Sequence, residues 1–195
     1  MEAETNGIID LSAQGLANPL ALKPLIKTLN YQSSVNTLIL SNCQLHRSSD
    51  VFKMICTLMP TLDNLKELDL SNNGLAPTNF TDLFTSLRKL RRLSSLNLSL
   101  NFLTNSVASH VSQLFSSLSD LRELRVRSCF ITGDFFDGLS RMDNILYLDV
   151  SFNRLGVRYA IRNHYSFIMN CRCDLRASWY ILNFMKCHAF ANDFL

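Results

Sequence analysis

One spacing recurs along this chain and restricts what it can fold into. Apolar residues at places one, four, six and eleven, with Asn or Cys at place nine, give L-x-x-L-x-L-x-x-N/C-x-L. The first copy is Val35, Leu38, Leu40, Cys43 and Leu45, and the second is Leu65, Leu68, Leu70, Asn73 and Leu75. The third is Leu93, Leu96, Leu98, Asn101 and Leu103, and the fourth is Leu121, Leu124, Val126, Cys129 and Ile131. The fifth is Ile145, Leu148, Val150, Asn153 and Leu155. Successive copies start 30, 28, 28 and 24 residues apart, and a weaker copy with Ile9, Leu11, Gln14 and Leu16 precedes them. A near-constant period of this length means that one structural unit is stacked on itself.

The spacing also says what the unit is. Places four and six are two apart, so both point inward from a short strand, and the polar side chain at place nine can bond the backbone that turns away from it. The stretch between copies switches to helical spacing, as in Phe80, Leu83, Phe84, Leu87 and Leu90, and in Val107, Val111, Leu114, Phe115 and Leu118. Asn79, with Asp82 three residues on, reads as the N-cap that opens one such helix. The interval from Ile131 to Ile145 is short, so its helix, around Phe135, Phe136, Leu139 and Met142, should lose about one turn. No unit buries its apolar stripe alone. Stacking therefore predicts an α/β solenoid, with a parallel sheet on the concave side and helices on the convex side. The pattern is the signature of the leucine-rich repeat, and its long helical units resemble the ribonuclease-inhibitor class of horseshoe. The expected division is repeats over 1–156, one degenerate and five clear, and an irregular cap or tail over 157–195.

Beyond Leu155 the next rung would place Arg176 and Ser178 inward, so stacking should stop. Cys171, Cys173, Trp179, Cys187 and His188 follow. An aromatic cap over the open end of the core is the preferred reading of that tail. A zinc site is disfavoured because C-x-C is an unusual ligand pair. The ending at Phe194-Leu195 is compatible with a piece of a longer chain.

At 195 residues, with 47% hydrophobic and 18% charged side chains, the chain can bury a core without disulfide or metal staples. A net charge of +3 and one short basic run, Arg88-Lys89-Leu90-Arg91-Arg92, do not make the broad basic face that direct nucleic-acid binding requires. The uncharged stretch from Leu93 to Ser119 is broken by Ser, Asn, Thr, His and Gln and is not read as a membrane span. Acids in Met1-Glu2-Ala3-Glu4-Thr5 are unlike a signal peptide, so an intracellular protein with reduced thiols is expected. On that reading the sequon matches at Asn79 and Asn97 are chance. Phosphate-binding, dinucleotide, nucleophile-elbow and zinc-protease motifs do not occur, and His46, His110, His164 and His188 fall in unrelated places of the repeat. No catalytic residue, metal or cofactor is expected.

Function is then expected on the concave face, where places three, five and seven are free of core duty. They hold Thr37, Ile39 and Ser41, then Glu67, Asp69 and Ser71, then Ser95, Asn97 and Ser99. Glu123, Arg125 and Arg127, then Tyr147, Asp149 and Ser151, complete the face. The acidic second rung and basic fourth rung divide it electrically. Apolar Leu100 and Phe152 stand beside it at place eight. Glu67, Asp69, Arg125, Arg127, Tyr147, Asp149 and Phe152 are the candidate partner-binding residues. Arg and aromatic side chains of this kind anchor protein ligands better than small molecules.

A narrower resemblance rests on particular runs. These are Leu68-Asp69-Leu70-Ser71-Asn72-Asn73-Gly74-Leu75 with Pro77, Leu96 to Asn101, Leu124-Arg125 with Cys129 and Phe135-Phe136, and Val150 to Gly156. Together they resemble the C-terminal leucine-rich repeats of Tonsoku-like proteins. That resemblance implies a nuclear, non-catalytic scaffold of replication-fork repair by homologous recombination, whose repeats hold a protein partner. Tetratricopeptide and histone-reading ankyrin repeats precede this region in the family; these 195 residues contain neither, so histone reading is not implied for them. Two other readings share the repeat. A GTPase activator often carries an acidic tail, unlike Arg172, Arg176 and Lys186 here, and an extracellular receptor fragment would need oxidised cysteines.

Overall fold

The alternation at places three to five becomes a three-residue strand in every repeat. In the computed structural model, which describes residues 7–16, 18, 20, 22, 34–132, 135 and 144–154, these are β1 (Ile8–Asp10), β2 (Thr37–Ile39), β3 (Glu67–Asp69), β4 (Ser95–Asn97), β5 (Glu123–Arg125) and β6 (Tyr147–Asp149). Each strand pairs in parallel with the next, giving one sheet in the order β1 to β6. The register sets place four against place four, as Ile9, Leu38, Leu68, Leu96, Leu124 and Leu148. The degenerate first copy thus forms a true rung. Leu38, Leu68, Leu96 and Leu124 are buried, as are Leu40, Leu70, Leu98 and Val126 at place six.

Behind the sheet lie α1 (Ser49–Leu58), α2 (Pro77–Leu87) and α3 (Ala108–Ser117), each packed on its neighbour. Their spacing buries Val51, Phe52 and Ile55, then Phe80, Leu83, Phe84 and Leu87, then Val111 and Leu114, in one core with the strand residues. Caps fix where they begin. Ser48 accepts a bond from the Val51 amide at 3.3 Å ahead of α1. For α2 the expected cap is corrected. The helix opens one turn earlier, with Pro77 at its first position, where a missing N–H costs nothing. Asn79 sits at the third position instead and reaches back to accept the Ala76 amide at 2.9 Å.

Place nine carries a ladder of side-chain bonds through the stack. The Asn101 carbonyl oxygen accepts the Asn73 and Leu75 amides of the preceding rung, and its amide donates to Leu70, Leu98 and Ser99 carbonyls. Asn73 does the same toward Cys43 and Leu45, and Asn153 toward Cys129 and Ile131. Cys43 and Cys129 keep the donor half, their thiols lying 3.0 Å from the Leu11 carbonyl and 3.2 Å from the Leu98 carbonyl. Both are fully buried, as expected for an inward-facing turn. Phe135 is buried as well. The shortened helix around Phe136, Leu139 and Met142, and the tail from 157 with Cys171, Cys173, Cys187 and His188, lie outside the described residues.

Candidate functional site

The sheet face turned away from the helices carries places three and five of each strand. Thr37, Ile39, Asp69, Ser95, Asn97, Glu123, Arg125, Tyr147 and Asp149 are half-buried there, and Glu67 is exposed. Place seven departs from the expectation. Ser99 and Ser151 are buried, and Ser99 accepts the Arg127 amide of the next rung through its hydroxyl. The Ser99 hydroxyl thus serves the turn, whereas Ser41 and Ser71 at the same place are half-buried and Arg127 is exposed.

Place five has a local duty that the spacing alone does not announce. Asp10, Asp69, Asn97 and Asp149 each accept the backbone amide two residues on, at 2.8 to 3.1 Å. These are Asx turns that bend the chain out of the strand. One oxygen of Asp69 and one of Asp149 therefore belong to the scaffold. The other Asp69 oxygen accepts the Asn97 side-chain amide at 2.9 Å.

The division into an acidic and a basic rung is modified in the same way. Arg125 forms an ion pair with Glu123 on its own strand, and Ser95 donates to that carboxylate at 3.2 Å. The Arg125 guanidinium also lies 5.2 Å from the centre of the Tyr147 ring. Arg127, just beyond β5, lies 4.2 Å from the centre of the Phe152 ring. The structure thus gathers Arg125, Arg127, Tyr147 and Phe152 into two stacked cation–ring pairs, with Asp149 in register beside Arg125. Glu67 and Asp69 stand two strands away. Among the described residues Arg127 has no ion pair.

A row of apolar side chains that the sequence reading only half found borders this group. Leu100 and Phe152 at place eight are 50% and 67% exposed, and Phe102 and Phe130 at place ten are 47% and 55% exposed. The two place-ten rings stack, with centres 5.2 Å apart and planes 16° from parallel. The signal was available, since place ten holds Gln44, Gly74 and Arg154 in other rungs. The backbone makes the choice of residue more pointed. Place eight is left-handed in every rung, at Ala13, Asn42, Asn72, Leu100, Ser128 and Phe152. Asn tolerates that region, whereas bulky apolar residues seldom occupy it. Phe130 is left-handed too, with φ 59°.

The buried thiols are chemically quiet. Burial pushes Cys56 up to about 12, and it pushes Cys129 up to about 11 against the opposing Asn101 and Leu100 amides. Cys43 is raised for the same reason. Among the described residues no cluster of three or more His, Cys, Asp or Glu is placed to hold a metal ion, and no helix is long and apolar enough to cross a membrane.

Comparison with known proteins fits this architecture. The Leucine Rich Repeat family model matches residues 64–90, the span from β3 through α2. The tropomodulin C-terminal domain of Caenorhabditis elegans is similar at 14% identity and a TM-score of 0.54, over 71% of this chain and 86% of that one. Leiomodin-1 actin-binding site 2 is similar at 14% identity and a TM-score of 0.57, over 69% of this chain and 82% of that one. No curated protein matches the sequence. Six registered rungs, a family match on the clearest of them and two solved structures of the same fold agree: the chain has the α/β leucine-rich repeat fold.

Proposed function

We propose that this chain is a non-catalytic scaffold that holds a protein partner across the open sheet face at β5 and β6, in the nucleus, as part of replication-fork repair by homologous recombination. The observation that carries the binding reading is the pair of stacks, Arg125 on Tyr147 and Arg127 on Phe152. Arg and aromatic side chains dominate protein-binding hot spots, and here each guanidinium already lies over a ring, so less side-chain freedom is lost on binding. The remaining polar groups of the face bond one another, as in Glu123 with Arg125 and Asp69 with Asn97, rather than converging on a reacting atom. The leiomodin-1 piece, by its description an actin-binding site, supports use of this fold to hold a protein without saying which protein is held here. The repair role and nuclear location rest on the Tonsoku-like runs around Leu68 to Leu75, Leu124 to Phe136 and Val150 to Gly156.

The test is affinity capture from nuclear and cytosolic extracts, followed by titration of the recovered partner. Arg125→Ala and Tyr147→Ala should each weaken binding by at least roughly 2 kcal/mol, and Lys89→Ala should leave it unchanged. Circular dichroism establishes first that the variants are folded. Loss with Lys89→Ala and none with the other two would move the site to the basic run after α2. Recovery only from cytosol would remove the nuclear role.

A further inference from the structure

We infer that the apolar edge beside the sheet face, Leu100, Phe102, Phe130 and Phe152, together with Arg127, docks an acidic, apolar peptide segment of the partner. This inference rests on the binding reading above and names the chemistry of what is bound.

Three observations converge on it. The four side chains follow β4, β5 and β6 at two places of the repeat, so they form a row that crosses the rungs. Each is about half exposed or more, although their own strands bury neighbours completely. Three of them, Leu100, Phe130 and Phe152, occupy left-handed backbone; the first two rungs carry Asn42 and Asn72 at the place of Leu100 and Phe152, and Gln44 and Gly74 at the place of Phe130. Apolar bulk is therefore kept where it serves neither the core nor the turn, and such strain collects at ligand contacts.

Charge selects the ligand. Glu123 neutralises Arg125, whereas Arg127, exposed over the Phe152 ring, has no carboxylate partner among the described residues. A guanidinium stacked on a ring still presents its edge N–H groups, and a carboxylate is the group those donors match best. Arg154, one rung on, is exposed and adds positive charge near the same edge. The pattern asks for apolar side chains to cover the Phe102–Phe130 stack, and for a carboxylate to reach Arg127. Four exposed side chains spread over three successive rungs fit an extended segment better than a folded surface.

A library of random peptides displayed on phage and selected on the immobilised full-length chain tests this. Selected peptides should be enriched in Leu or Phe together with Asp or Glu. Phe130→Ser and Arg127→Glu should each weaken them at least roughly tenfold, and selection on the Arg127→Glu chain should shift enrichment toward Lys and Arg. Tyr147→Ala, set beside Phe130→Ser, separates this inference from the reading on which it rests. Peptides lost on Tyr147→Ala but retained on Phe130→Ser overturn the edge and leave the open face standing. Peptides lost on Phe130→Ser but retained on Tyr147→Ala establish the edge and count against the open face. No enrichment over a blank support overturns the peptide class. Self-association of the chain in sedimentation, abolished by Phe130→Ser, assigns the edge to a second copy and overturns it as well.

Discussion

Cys56 and Cys129 show how far the fold alters one residue's chemistry. Both thiols ionise less readily folded than unfolded, chiefly because burial penalises the thiolate. The folded state therefore holds these protons where the unfolded chain releases them, so their contribution is complete below the ordinary value of 9.0. It is lost as pH climbs toward about 11 for Cys129 and about 12 for Cys56. Urea midpoints should fall with rising pH across that window, and Cys129→Ala should fall less steeply than wild type. Equal slopes would mean that the Cys129 thiol is not buried as described. That Cys129 faces inward was legible from its place in the repeat. The role of the acids at place five was not, because an Asx turn depends on backbone direction after the strand, which residue spacing does not encode. Asp69 and Asp149 thus read as ligand groups in the sequence, and prove also to be turn formers.

The turn that follows each strand is where stability and binding pull apart. A left-handed Leu is less stable than a left-handed Asn by about 1 kcal/mol. Leu100 occupies that conformation with φ 60°, while its amide still donates to Arg127 at 2.8 Å. Leu100→Asn should therefore raise the thermal or urea stability of the chain while weakening the selected peptides. A clear loss of stability would show that Leu100 packs into the core after all. At this scale the apolar periodicity announced the helices well, since Phe80, Leu83, Phe84 and Leu87 are buried as read. Their starts were harder to read. Asn79 reads as a cap by residue type, yet Pro77 takes the opening position, and a side chain that can bond a backbone amide from either side leaves that choice to the geometry.

The whole molecule was the most legible level, because one register error would turn every strand's apolar set toward solvent. Leu68 must face Leu96, and Leu96 must face Leu124, so a single spacing dictates the entire sheet. The same neighbour-only logic governs energetics. Asn101→Ala should destabilise by at least about 3 kcal/mol, since it strands buried amides and carbonyls of two rungs. Asn73→Ala added to it should cost less than the sum of the single changes, because the two side chains serve adjoining turns. A double-mutant cycle by urea denaturation measures that shortfall, and strict additivity would count against a continuous ladder.

The ladder is interrupted where sulfur replaces an amide. Toward the rung before it, Cys129 turns a sulfur to the Asn101 amide, and sulfur is a far weaker acceptor than the oxygen Asn101 itself offers to Asn73. The place-nine ladder is in this sense weakest between its third and fourth clear rungs, where the sheet, the Thr104 amide on the Cys129 carbonyl and the Thr132 amide on Asn105 still cross the gap. Leu100 and Phe102 lie on one side of it, and Phe130 and Phe152 on the other. A segment laid along that edge would act as a splint. Its occupancy would be felt as stiffness along the length of the solenoid as well as contact at the surface.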